Sequence, residues 1–191
     1  VGVEIAKSDY VLFVDGDDLI DPTMLEKMLY YLDTHDGAHF VNSYIVGFDA
    51  KQYKWTRSVN PSIQFKTENV ASAVAMFRKK TLMSVGGYPN REGGMEDWKV
   101  YLKFANAGKW GHTIPEFLTW YRRREDHTDR WKELTSEGIQ RFLKDELGVS
   151  KNLRTEQDWP KPPVKSSDPH DPHNPIILSL GDNTATKVSS L

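Results

Sequence analysis

The sequence predicts an α/β fold in which a mixed sheet is flanked by helices. Apolar runs of strand length alternate with segments of helical periodicity over the first 150 residues, and glycines stand at several of the junctions. With 191 residues, of which 38% are hydrophobic and 27% charged, the chain is large enough to bury a core. This composition excludes collagen-like, coiled-coil and wholly disordered proteins.

The first predicted strand is the unbroken apolar run YVLFV at residues 10–14. Its pattern is typical of a strand covered on both faces, so we expect a central parallel strand. Asp21 is the expected N-cap of the following helix, with Pro22 at the first helical position. The predicted apolar face of this helix contains Met24, Leu25, Met28, Leu29 and Leu32.

Apolar, β-branched and aromatic clusters between turn residues predict the remaining strands. They are residues 40–48, its hairpin partner 52–55, and 73–77, 110–114 and 117–122. A short helix at 80–85 should end at Gly86 and Gly87, where we expect positive φ. Glu96 and Asp97 open a further helix that Gly108 ends. Its predicted buried face holds Trp98, Tyr101, Leu102 and Ala105, and an amphipathic helix is expected at about 131–147.

The composition changes after residue 150, where we place the end of the first domain. Six of the ten prolines lie in the last 37 residues, so residues 151–175 are predicted to be a stiff, Pro-rich linker. The short apolar stretch within 176–191 is a candidate start of a further module. Because residues 1–7 have the pattern of a helix interior, residues 1–150 are expected to be a segment of a longer protein.

Charge and cysteine content restrict the partners. With 25 basic and 27 acidic side chains, the formal net charge of -2 offers no general attraction for nucleic acid, which we therefore do not expect as a partner. The absence of cysteine excludes disulfides and thiolate chemistry and fits a reducing compartment. No stretch approaches the ~20 apolar residues of a membrane helix, so we expect a cytoplasmic location, with the membrane surface as an alternative.

An acidic cluster, Asp15-Gly16-Asp17-Asp18, directly follows the first predicted strand. In open α/β sheets, ligands bind beyond the carboxyl ends of the strands. Asp15 and Asp17 are two residues apart in a loop, so their carboxylates can reach one small volume. Like charges held together are costly unless a cation neutralises them, and oxygen ligands suit Mg²⁺ or Mn²⁺. Because Mg²⁺ keeps positions for substrate oxygens, a diphosphate ligand is implied.

Other acidic motifs fit the same residues less well. An EF-hand beginning at Asp15 would need a liganding residue at Leu19 and the turn glycine at Ile20, so it is rejected. A Mg²⁺-dependent phosphohydrolase with Asp15 as nucleophile matches in part, but Leu19 replaces its Thr. A solvated turn is the remaining interpretation of the cluster.

Four segments together resemble the inverting glycosyltransferases of family 2, which have the GT-A fold. They are YVLFVDGDD at 10–18, AMFR at 75–78, VGGY at 85–88 and GMEDW at 94–98, in the family's order and spacing. The resemblance covers roughly residues 1–124. It implies a partial, Rossmann-like GT-A domain, the carboxyl-terminal part of a catalytic domain whose nucleoside-binding strands would precede residue 1.

The resemblance implies sugar transfer from a nucleotide-diphosphate donor to an acceptor hydroxyl, with inversion and with Mg²⁺ or Mn²⁺. Asp15 and Asp17 match the metal and diphosphate motif, with Asp17 as the direct ligand and Asp18 as a further candidate. The acceptor would be a glycan, a lipid-linked molecule or a protein. The fragment alone is expected to be inactive, and a fused catalytic or binding module is a further expected partner.

The remaining candidate residues also follow from the resemblance. Asp97 matches the base that takes the acceptor proton, and Glu96 is its neighbour in contact with the acceptor or loop. Arg124 and His127 match a region near the diphosphate or metal. Acidic residues also favour helix N-termini for purely structural reasons, and a cation run is common on surfaces. A non-catalytic carbohydrate-binding domain that keeps the fold is therefore a third hypothesis.

Overall fold

The computed structural model describes residues 2–59, 65, 69–88 and 95–125. The helix predicted at about 131–147, the linker and the apolar segment after it lie outside these residues, as does His127. The helices are α1 (Gly2–Ile5), α2 (Met24–Thr34), α3 (Lys79–Ser84) and α4 (Glu96–Asn106). The strands are β1 (Tyr10–Leu12), β2 (Leu19–Ile20), β3 (Ala38–Asp49), β4 (Tyr53–Trp55), β5 (Ala75–Arg78) and β6 (Trp110–Arg123).

The six strands form one mixed sheet, as the sequence predicts. Their order is β1-β5-β3-β6-β2, and β4 also pairs with β3. β3 and β6 are parallel, and the other pairs are antiparallel. The long parallel pair is the centre of the sheet, and it carries the end of β6 to the acidic loop.

β1 is not a central parallel strand, so this prediction is wrong. It stands at the edge of the described sheet and pairs antiparallel with β5, with Val11 opposite Phe77. β1 is only half-buried, and Val14 is exposed. The run at residues 10–14 is apolar because it packs against neighbouring aromatic rings: the Phe13 ring lies 4.5 Å from that of Tyr88 and 5.8 Å from that of Phe77.

Helix α2 begins later than predicted. Its N-cap position is Thr23, and Asp21 lies in the preceding turn, where its Oδ1 accepts hydrogen bonds from the Thr23 backbone N–H (2.8 Å) and hydroxyl (2.6 Å). Asp21 therefore stabilises the turn before the helix and does not cap it. The buried face consists of Met24, Met28, Tyr31 and Leu32, whereas Leu25 and Leu29 are exposed because they lie at the margin of that face.

Helices α2 and α4 cover opposite faces of the sheet. The Phe40 ring of β3 contacts Tyr101 of α4 at 4.9 Å, and Gly111 lies beside Phe40 in β6. The next residue, His112, points to the other face, where its ring stacks 4.4 Å from Tyr31 of α2. The sheet is therefore flanked by helices on both sides, which confirms the predicted α/β arrangement.

Downstream, local patterns predict the elements well. α4 buries Trp98, Tyr101, Leu102 and Ala105, as expected. The Gly86-Gly87 turn after α3 has φ of 86° and 62°, and Gly108 after α4 has φ of 64°. The two strands predicted at 110–114 and 117–122 are one strand, β6. Pro115 and Glu116 between them fall where the register against β3 shifts, because proline has no N–H for the ladder.

Candidate active site

The acidic loop lies between β1 and β2. The N–H of Phe13 donates to the Ala75 carbonyl of β5 at 3.3 Å, which fixes the start of the loop. A turn follows, in which the Asp18 N–H donates to the Asp15 carbonyl at 3.1 Å. The Asp15 side chain is exposed, and Asp17 is partly so. The loop therefore presents both carboxylates of the predicted metal motif at its surface.

Two arginines hold this loop: Arg122 lies near the end of β6, and Arg124 directly follows the strand. Arg122 donates from Nε to the Asp17 carbonyl at 3.0 Å and from its backbone N–H to Asp18 Oδ1 at 2.9 Å. Its Nη1 forms an ion pair with Asp49 at 2.8 Å. Arg124 places Nη2 2.7 Å from Asp17 Oδ2, with Nε 3.2 Å from the same oxygen. The sequence-predicted residues Asp17 and Arg124 are thus in direct contact.

The carboxyl group of Asp18 has a raised pKa. Burial and, to a smaller extent, the charges of Asp15 and Asp17 raise its pKa to about 6 against the opposing hydrogen bond from the Arg122 backbone. Its second oxygen, Oδ2, is buried without a hydrogen-bond partner among the described residues. The loop therefore holds more negative charge than its own partners neutralise, which favours a cation.

The second acidic pair opens helix α4. Met95, in the N-cap position, has a left-handed backbone (φ 57°), and Glu96 and Asp97 form the first turn. Asp97 Oδ2 accepts a hydrogen bond of 2.8 Å from Asn69 Nδ2. Burial raises the pKa of Asp97 to about 6, although hydrogen bonds from the Trp98 backbone and from Asn69 lower it in part. At neutral pH this carboxylate is ionised yet more basic than an ordinary aspartate, as a general base requires.

Tyr88 links the two acidic groups. Its pKa is raised by burial and then by the charges of Asp97, Glu96 and Asp15, so all three carboxylates lie within electrostatic reach of one phenol. Its hydroxyl is buried and has no hydrogen-bond partner in the described part of the chain. The Tyr88 ring also packs 4.5 Å from the Phe13 ring at the start of the acidic loop, so Tyr88 contacts the loop and is influenced by the α4 carboxylates.

The donor chemistry of the loop fits a hard divalent cation only with help from a substrate. Within residues 2–59, 65, 69–88 and 95–125, no three His, Cys, Asp or Glu side chains are placed to hold an ion by themselves. However, Asp17 already faces a cation, the Arg124 guanidinium, and Asp18 Oδ2 has no hydrogen-bond partner within the part of the chain that the structure describes. Two carboxylates fit Mg²⁺ or Mn²⁺ when waters and phosphate oxygens complete the coordination.

The sequence prediction missed three polar residues of this region. These residues are Arg122, Tyr88 and Asn69. In the sequence, Arg122 is one of three consecutive arginines with nothing to distinguish it, and no motif marks Tyr88 or Asn69 as a site residue. Tyr88 follows the Gly86-Gly87 turn, whose sharp bend was the available signal. Asn69 and Arg122 have no local signal, because their partners lie 28 and about 105 residues away in sequence.

The fold matches that of two solved structures. Two crystal structures of S. aureus TarS, one of them of residues 1–349, superpose with TM-scores of 0.57 and 0.55 at 15% identity. Each match covers 82% of this chain, and 27% and 45% of the respective TarS chains. At this identity the match shows the fold alone, which is of GT-A type. None of the described helices is long and apolar enough to cross a membrane.

Sequence comparison adds the family. The family model described as "Glycosyl transferase family 2" matches residues 1–86. The Bacillus subtilis (strain 168) protein named "Putative glycosyltransferase EpsE" is 31% identical over 127 residues, which are 63% of this chain and 45% of that protein. The chain thus spans less than half the length of this relative. Residues 1–86 thus resemble glycosyl transferase family 2, and the described residues have a GT-A-type fold.

Proposed function

We propose that the protein containing this chain transfers a sugar from a nucleotide-diphosphate donor to an acceptor hydroxyl, with inversion and with Mg²⁺ or Mn²⁺. One observation carries the proposal. The Phe13 ring at the start of the acidic loop packs 4.5 Å from the Tyr88 ring. The charges of Asp15, Glu96 and Asp97 all raise the pKa of the buried Tyr88 phenol, which supports a common site for the loop and the α4 carboxylates. In a single displacement at the anomeric carbon, the group that binds the donor diphosphate and the base that deprotonates the acceptor must lie close together.

The donor side is the acidic loop with its arginines. Asp17 and Asp15 would hold the ion, and Asp18 Oδ2 is available beside them. When bound, the ion would stabilise the negative charge of the departing diphosphate. Arg122 keeps the loop backbone in place through the Asp17 carbonyl, and Arg124 offers a half-exposed guanidinium to phosphate oxygens. His127 is a further proposed contact, outside the described residues.

The acceptor side is the start of α4. Asp97 would take the proton of the acceptor hydroxyl while that oxygen attacks the anomeric carbon and the bond to the diphosphate oxygen breaks. A single displacement from the opposite side inverts the anomeric configuration. Glu96, at the same helix end, would contact the acceptor. A glycan, a lipid-linked molecule or a protein can each supply such a hydroxyl.

The family match favours this reaction over the phosphohydrolase with Asp15 as nucleophile. The other alternative is a non-catalytic carbohydrate-binding domain. It would have the same fold and would bind the donor, but it would not transfer the sugar. A cytoplasmic or membrane-surface location and fusion to a further module stay predictions.

The test uses the full-length protein. A thermal-shift screen of nucleotide sugars with Mn²⁺ identifies the donor, and transfer to candidate acceptors is then measured. We expect Asp17→Asn to weaken metal-dependent donor binding and Asp97→Asn to abolish transfer while donor binding is retained. Asp36→Asn, an exposed site at the opposite end of β3, is the matched control. Sugar transfer at the normal rate by the Asp97→Asn variant would refute the role of Asp97 as the base. Donor binding without sugar transfer by the unsubstituted protein would favour the non-catalytic carbohydrate-binding domain.

A further inference from the structure

The side-chain amide of Asn69 has a defined orientation. Its Oδ1 accepts a hydrogen bond of 3.3 Å from the Ala71 backbone N–H. The NH₂ group is therefore the end that faces Asp97, and it donates to Oδ2 at 2.8 Å. A rotated amide would place oxygen against carboxylate and lose both bonds.

The segment that carries Asn69 is attached to α4 on both sides of this contact. Trp98 Nε1 donates to the Phe65 carbonyl at 2.8 Å, and the Tyr101 hydroxyl donates to the Ser72 carbonyl at 2.6 Å. Val70 and Ala71, next to Asn69, are buried in the core. Asn69 therefore cannot withdraw from Asp97 without displacing its buried neighbours Val70 and Ala71.

The groups around Asp97 determine how much the hydrogen bond from Asn69 affects the protonation of this carboxyl group. In the described part of the chain, the titratable groups that interact with Asp97 include Glu96 on the same helix turn, Tyr88 from the loop after α3, and Tyr101 one turn along α4. Burial has the largest effect on its pKa, followed by the Trp98 backbone N–H, the Glu96 charge and the Asn69 amide. Burial and the Glu96 charge favour the protonated form, whereas the Asn69 amide and the helix N–H groups favour the ionised form.

We infer that Asn69 is a positioning residue for the base, because its amide holds the Asp97 carboxylate in one orientation and favours its ionised form. The inference rests on the proposed function, in which Asp97 accepts the acceptor proton. Loss of the amide donor would leave a carboxylate that is harder to ionise and free to turn. The consequence is pH-dependent, because at high pH the group is ionised with or without Asn69.

The experiment measures the pH dependence of kcat/KM for sugar transfer by the full-length protein and three variants. Asn69→Asp keeps the shape of the side chain but replaces the donor by a second carboxylate. Asn69→Ser keeps a hydroxyl donor on a shorter side chain. Ser72→Ala removes a hydrogen bond to the Val74 carbonyl in the same segment without touching Asp97, so it is the control for loosened structure.

We expect Asn69→Asp to move the acidic limb of the profile to higher pH. Its kcat/KM should be about tenfold below that of the unsubstituted protein near pH 5.5 and within about twofold near pH 8.5. Asn69→Ser should shift the limb less, and Ser72→Ala should leave it in place. Equal loss at every pH in the Asn69 variants, or an equal shift in Ser72→Ala, would overturn the inference.

Asp97→Asn separates this inference from the proposed function. If that variant transfers sugar at the normal rate, Asp97 is not the base, and both the proposed role and the Asn69 inference are wrong. If it is inactive but the Asn69→Asp profile coincides with that of the unsubstituted protein, only the Asn69 inference is wrong.

Discussion

Substitution of Asp97 by Asn should stabilise the fold while it abolishes transfer. The pKa of Asp97 is raised from 3.8 to about 6, chiefly by burial. Because the folded-state pKa lies above the unfolded one, the folded protein binds more protons between these values, and stability falls as the pH rises through this range. Asparagine has the same shape without the charge, so the variant lacks this loss.

The magnitude follows from the difference between the two pKa values. At about 1.4 kcal/mol for each pKa unit, a rise from 3.8 to about 6 corresponds to about 3 kcal/mol at most. The introduced amide would keep a carbonyl to accept from Asn69 but would also bring an NH₂ group into this place, so a gain of about 1 to 2 kcal/mol is the expected result.

The assay is urea unfolding of the full-length protein and the variant at a series of pH values. Relative to its value near pH 4, the difference in the free energy of unfolding should increase in favour of the variant through about pH 5 to 6 and be constant above pH 7. A variant that is less stable at every pH, or equally stabilised at pH 4 and pH 8, would refute the reasoning.

Three further substitutions test the packing and the donor side. Gly111→Ala should cost about 1 to 3 kcal/mol in urea unfolding, because an added Cβ would overlap the buried Phe40 ring, whereas Gly16→Ala, which meets nothing within 4 Å, should leave stability unchanged. Equal stabilities for the two variants would contradict the packing. Arg124→Gln should bind Mn²⁺ alone about two- to fivefold more tightly in calorimetry, because the guanidinium no longer competes for Asp17 Oδ2, while metal-dependent donor binding weakens. Weaker Mn²⁺ binding in the absence of donor would show that this ion pair does not oppose the metal.

Local patterns in the sequence predict much of the fold. Helix α4 and the strand at residues 40–48 follow from periodicity, and the Gly86-Gly87 turn follows from glycine's access to positive φ. The place of β1 in the sheet could not be predicted in this way, because an apolar run indicates burial but not which strand lies beside it. For α2, the helix start depends on the Asp21 turn, and the exposure of its outer leucines depends on where the sheet lies.

In the candidate site too, residues in local motifs could be predicted from the sequence, whereas residues with distant partners could not. Asp17 and Asp97 belong to short motifs and are visible in the sequence, although their roles stay proposals. Arg122 and Asn69 act through hydrogen bonds to residues distant in sequence, so no spacing rule identifies them. The Tyr88 hydroxyl could not be identified from the sequence, because its interest depends on its burial and on the lack of a hydrogen-bond partner among the described residues.

The most direct test of the site is a crystal structure of the full-length protein with Mn²⁺ and a nucleoside diphosphate, in which anomalous scattering locates the ion. We expect the ion at the Asp17 carboxylate, Arg124 turned from Asp17 toward the phosphates, and the diphosphate on the side of Tyr88 that faces Asp97. An ion and a nucleotide bound elsewhere, with the Arg124–Asp17 pair intact, would contradict the account.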